Sequence, residues 1–81
     1  MIVGKWNEEI KDYEPYVIPD NWYVSTINTK FGWHDTVNCA SCGRELEYGN
    51  CFPSRYLCLS PRLDLSLGVC SSCHDKEWGR A

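Results

Sequence analysis

The chain has 81 residues, with 8 basic and 11 acidic groups for a net charge of −3, and six cysteines. That length allows a single domain, which buries only about 60–65% of the surface its unfolded form exposes and stands near the size at which a disulfide or metal staple is needed. Net acidity counts against nucleic acid as the default partner, because affinity for phosphates comes mainly from Lys and Arg, and no run approaches the ~20 apolar residues of a membrane span.

The opening residues, 1–9, contain no apolar stretch of signal-peptide length. This points to the cytoplasm, a reducing compartment in which disulfides are rare. Trp6, Ile10 and Tyr13 are spaced by four and three, which predicts a short amphipathic helix within residues 5–14. Pro15 would stop it, and Pro15 and Pro19 together favour extended chain around Tyr16-Val17-Ile18. Asp20-Asn21 is a turn signal. Residues 22–27, aromatic and β-branched with turn residues on both sides, give the strongest strand prediction in the chain. Asn28-Thr29-Lys30 then reads as a hairpin connection, with a return strand beginning at Phe31-Gly32-Trp33 and running through Thr36-Val37.

Two C-x-x-C pairs follow, Cys39/Cys42 and Cys70/Cys73. In a reducing compartment this pattern points to one structural zinc ion; three disulfides in a secreted domain are the alternative. Gly43, directly after the first pair, supplies the positive φ that a metal knuckle needs. Residues 44–48 can form a short strand closed by Gly49-Asn50. Residues 56–59 form another, Ser60-Pro61 a turn, and residues 63–67 an alternating strand with Leu63, Leu65 and Leu67 on one face. After Cys70 a short helix is predicted, N-capped by Ser71 or Ser72, with Cys73 in its first turn, Trp78 anchoring it to the hairpin and Gly79 ending it. Two turns cannot stand alone in water, so the metal must hold them.

Knuckle, β-hairpin, then a helix carrying the last ligand in its first turn: this order resembles the treble-clef zinc finger, carried by Cys39, Cys42, Gly43, Cys70 and Cys73. A zinc ribbon, whose second knuckle lies in a β-hairpin, is the near competitor. The chain also looks like the small zinc-finger proteins that phages and prophages encode. The resemblance implies an α+β fold: a zinc-stabilised treble-clef or ribbon-like module at residues 39–81, with an N-terminal β extension at residues 1–38, in one compact domain. A fold of this kind licenses no function by itself.

The candidate metal ligands are Cys39, Cys42, Cys70 and Cys73, and four thiolates leave zinc no open position for catalysis. Cys51 and Cys58 read as small buried hydrophobes of the hairpin, the alternatives being a ligand exchange or a second partial site. His74, next to Cys73, reads as a surface or supporting group, and His34 as a loop residue that could complete a site lacking one thiol. Arg44, Arg55, Arg62, Lys76 and Arg80, interleaved with Tyr48, Phe52 and Tyr56, are possible nucleic-acid contacts, although five acids in residues 39–81 balance them. A His-Asn-His nuclease is remote, because residues 55–68 contain no His. Residues 1–38 carry six acids against three lysines, and seven aromatics crowd the first 33 residues. So many aromatics beside excess acid point to a protein partner: a homodimer, or a larger basic host protein. The expectation is a non-enzymatic zinc-binding interaction module with no small-molecule substrate and no membrane, and with the host cytoplasm as its compartment if a phage encodes it.

Overall fold

A computed structural model describes residues 1–26, 30–59 and 65–79. The elements are β1 (Ile2–Asn7), β2 (Asp12–Val17), β3 (Thr36–Asn38), β4 (Glu45–Glu47), a 3-10 turn (Tyr48–Asn50), β5 (Phe52–Cys58), β6 (Ser66–Val69) and α1 (Ser71–Glu77). The described residues are therefore α+β.

The stretch predicted as a helix is instead a β-hairpin. Strands β1 and β2 pair antiparallel, Ile2 opposite Val17 and Trp6 opposite Tyr13. The seven-residue spacing that would align Trp6 and Tyr13 on a helix also makes them cross-strand neighbours. Their rings meet edge to face, centroids 5.2 Å apart, a contact of about 0.5–1.5 kcal/mol beyond area burial. The turn is closed by Lys11 at φ 51°. Pro15 is accepted in β2 because β2 is an edge strand.

The larger sheet has the order β2-β1-β5-β6, and β3 and β4 form a separate two-stranded ladder. The predicted strand over residues 22–27 makes no ladder among the described residues. It makes two isolated bridges, Val24 to Asn38 and Thr26 to Leu67. Its backbone ties the two sheets together: Tyr23 O accepts the Asn38 N–H at 2.8 Å, and Ser25 O accepts the Gly68 N–H at 2.6 Å. Gly68 makes the second contact possible, since a Cβ there would stand 1.9 Å from Ser25 Oγ. The predicted return strand does not close a hairpin on residues 22–26: β3 begins at Thr36 and ladders with β4, and the Val24–Asn38 bridge is parallel. The Asp35 carboxylate accepts the Gly32 N–H at 2.7 Å and holds residues 32–35 in a turn. The predicted hairpin connection at Asn28-Thr29, the Ser60-Pro61 turn, and Leu63-Asp64 lie outside the described residues. Strand β6 starts at Ser66, with Leu67 fully buried as its alternation implied.

The core gathers Val3, Ile18, Leu57, Leu67 and Val69 around Ala40, Cys39 and Cys70. Helix α1 is N-capped by Cys70, with no side-chain cap, so the predicted serine caps are instead exposed residues of its first turn. Gly79, at φ 71°, ends it. Trp78 is not the anchor: it is 48% exposed and lies against the Arg55 guanidinium, 5.1 Å from ring centroid to Cζ. The anchor is Glu77, only 6% exposed. Ser54 Oγ donates to one of its carboxylate oxygens at 2.8 Å, and the Arg55 N–H donates to the other at 2.9 Å. The same Ser54 oxygen accepts the Leu57 N–H at 2.8 Å, where the β5–β6 register is irregular. A hydroxyl and a carboxylate thus satisfy amides that the irregular ladder releases.

Glu77→Ala is expected to cost about 2–3 kcal/mol, because it leaves a buried hydroxyl and amide unpaired. Trp78→Ala should cost about 1 kcal/mol or less. Urea midpoints of the metal-loaded variants at unchanged m-value would check the ranking.

Candidate metal centre

The first knuckle forms because the chain reverses between β3 and β4. The Cys39 N–H donates to Arg44 O at 2.9 Å and the Gly43 N–H to Cys39 O at 2.9 Å. Gly43 sits at φ 82°, and a Cβ on it would meet the Trp22 ring at 2.5 Å. Glycine is required there twice over, for conformation and for space. The second pair sits where β6 passes into α1. Cys70 ends the strand side and Cys73 lies on the first turn of the helix, with the His74 N–H donating to Cys70 O at 2.9 Å.

These two turns bring the sulfurs of Cys39, Cys42, Cys70 and Cys73 within 4.8 Å of one another. The Cys42 and Cys70 sulfurs are 3.8 Å apart. A regular tetrahedron with Zn–S bonds of about 2.3 Å has edges of about 3.8 Å. The four residues the sequence singled out are therefore positioned to bind a metal ion.

Each sulfur also has a polar neighbour. Cys39 accepts the Cys42 N–H at 3.4 Å. The Arg44 amide serves Cys42, the Cys73 amide serves Cys70, and the Ser41 hydroxyl serves Cys73. Burial opposes ionisation at all three of the last-named thiols. At Cys70 the donors outweigh it and bring the thiol down to about 7. At Cys73 burial, followed by the neighbouring thiols, pushes it well up. Burial likewise raises Cys42. Four sulfurs this close cannot all ionise unaided, and a bound divalent cation would supply the missing charge. The supporting hydroxyl of Ser41 was not singled out by the sequence reading; its place inside the first C-x-x-C was the available signal.

Cys51 and Cys58 fall outside the cluster, and all six cysteines are thiols. Cys58 is buried in β5, as expected of a small hydrophobe, while Cys51 is half-buried. Burial, ahead of its other neighbours, raises the Cys51 thiol. His34 stands apart, its Nδ1 3.0 Å from the Glu47 carboxylate. His74 lies between the rings of Phe52 and Trp78, centroids 4.9 and 5.9 Å away.

Among the described residues, the predicted basic contacts Arg44, Arg55 and Lys76 form no single shared contact. Arg44 and Lys76 are exposed, Arg55 lies against Trp78 and Tyr56, and Arg62 and Arg80 are outside the described residues. Lys76 lines a groove of about 350 Å³ beside Cys42 and Cys73, together with Lys5, Tyr16 and Tyr56. Lys5 was not among the predicted site residues, because nothing in its sequence neighbourhood links it to the cysteines. An apolar depression of similar size lies between Trp33, Tyr48, Cys51, Phe52 and Leu67. No described helix is long and apolar enough to cross a membrane. No protein-family model, curated protein or solved structure matches the chain.

Cys39→Ser or Cys73→Ser is expected to abolish metal binding and unfold residues 39–79, whereas Cys51→Ser or Cys58→Ser should retain the metal and lose only packing energy. Elemental analysis of purified variants, paired with circular dichroism, would check this. Equal loss from all six substitutions would contradict a single site. Because thiolates bind the metal and thiols do not, acidification should lower metal occupancy and metal uptake should release protons, measurable by calorimetry in buffers of different ionisation enthalpy.

Proposed function

We propose that the chain is a non-enzymatic interaction module, stabilised by one structural zinc ion, whose partner is another protein. The observation that carries the structural role is the convergence of four sulfurs. Four soft donors at tetrahedral spacing suit zinc and fill its coordination, leaving no position for a substrate or an activated water. The element order supports a treble-clef reading over a zinc ribbon: the first knuckle lies between β3 and β4, the β5–β6 hairpin follows, and Cys73 sits on α1 rather than in a second hairpin. His74, packed between two aromatic rings, supports a non-catalytic reading. A protein partner is supported by the exposure of large apolar side chains, among them Ile2, Val17, Tyr23 and Trp33, on a segment rich in acid. The concrete form of this reading, supported by size and layout, is a phage or prophage accessory factor acting on a host complex in the cytoplasm. Nucleic-acid binding is the second reading, favoured by the exposed cations Arg44 and Lys76.

Native mass spectrometry with and without a chelator tests the zinc assignment: one zinc per chain is expected, and chelation should remove folded charge states. A metal-free mass six hydrogens light would overturn it. Tight binding of a generic duplex or single strand at physiological salt, abolished by Arg55→Glu, would replace the protein-binding reading with the second one.

A further inference from the structure

We infer that Lys5 of β1 and Lys76 of α1 are the counter-charges of the four-sulfur centre, so that the N-terminal hairpin supplies part of the metal site. This rests on the structural-zinc reading above and adds to it the residues that balance the charge of that site.

Four thiolates around one divalent cation leave two negative charges. The fold leaves one side from which side chains can meet them. Cys39 and Cys70 are buried among the aliphatic residues of the core, whereas Cys42 is exposed and Cys73 half-buried. Cys42 and Cys73 line the groove described above, and the cations in its lining are Lys5 and Lys76. A space of about 350 Å³, taken as a sphere, is about 9 Å across. That is close to the Debye length of about 8 Å at physiological salt, so charges facing one another across it are only partly screened.

Neither lysine is committed elsewhere. Among the described residues the ion pairs are Met1 with Asp20, His34 with Glu47 and His74 with Asp75, and no lysine takes part. The register sets Glu14 opposite Lys5, but the Glu14 carboxylate accepts from Asn7 Nδ2 at 3.2 Å instead. Glu77 also lines the groove, with its two oxygens held by Ser54 Oγ and the Arg55 N–H. It adds a further negative charge beside the cluster. Two lysines against that sum leave no positive excess to attract an external anion, and the cations serve the centre itself.

Both lysines are placed by the fold. The Lys5 ammonium lies over the Tyr16 ring, 5.1 Å from its centroid. The hydroxyl of the same ring donates to Ser41 O at 3.5 Å, and Ser41 stands between Cys39 and Cys42 in the first knuckle. One side chain of β2 thus reaches from the ammonium to the knuckle. Lys76 follows Cys73 by three residues on α1, a spacing that puts the two on one side of a helix.

The test uses the full chain and reads zinc affinity by competition with a chromophoric chelator. Lys5→Gln and Lys76→Gln remove the charge, and Lys5→Arg and Lys76→Arg keep it. Lys11→Gln removes an equal charge from the hairpin turn, outside the lining of the groove. Every variant should still bind one zinc per chain. At about 10 mM salt each groove glutamine is expected to weaken zinc about three- to fivefold, as Coulomb's law gives for one positive and two negative charges about 9 Å apart in water. The arginine variants should restore affinity, Lys11→Gln should have a smaller effect, and the differences should shrink as salt rises. Unchanged affinity in both groove glutamine variants overturns the counter-charge assignment and leaves the zinc reading standing. A loss that arginine does not restore would be one of packing, and an equal loss from Lys11→Gln would be one of net charge; either overturns the assignment. A chain that binds no zinc overturns the zinc reading and this inference with it.

Discussion

The convergence of four sulfurs from two distant turns is the constraint on which the rest depends. A domain of this size has a small core; here it consists of a few aliphatic side chains packed around Cys39, Ala40 and Cys70. Two of the four clustered thiols are thus core residues as well. The metal position and the apolar interior are one structure seen from two sides. This is why α1, at seven residues, exists at all: a helix so short has no independent stability, and it is specified by what holds its ends.

Those two ends are held by different chemistry. Cys70 and Cys73 fix the first turn, and the Glu77 carboxylate fixes the last by accepting from Ser54 and the Arg55 amide. Local sequence pattern exposed the first and hid the second. C-x-x-C followed by polar helix formers announces a metal-capped helix. Nothing in Lys76-Glu77-Trp78 says that the charged residue is buried and the aromatic one exposed, because burial there follows from an irregular ladder 22 residues away in sequence.

The N-terminal half shows the same boundary between what pattern reveals and what it cannot. Trp6 and Tyr13 fit a helix and a hairpin equally well by spacing; what decides is the pairing of β1 with β5, which joins the hairpin to the larger sheet. Residues 22–26 have strand composition, and they are extended. Their hydrogen bonds go to two different sheets, a tertiary arrangement that no local window encodes. At the knuckle, by contrast, the ligand set and the role of Gly43 follow directly from residue type and spacing, because the geometry is set within five consecutive residues. The supporting donors were half legible: the backbone amides come with the turn, while the Ser41 hydroxyl is particular to this chain.

Ser54 has a consequence beyond holding the helix. Its hydroxyl binds Glu77 of α1 while accepting the amide of Leu57, and Leu57 is the residue of β5 that pairs with Lys5 of β1. One oxygen atom therefore lies on a continuous line of contacts from the sulfur cluster, through the helix, to the strand that bears the hairpin. The hairpin is thereby coupled to the cluster through Ser54 and the β5–β1 pairing, although no residue of the hairpin is among the four clustered cysteines.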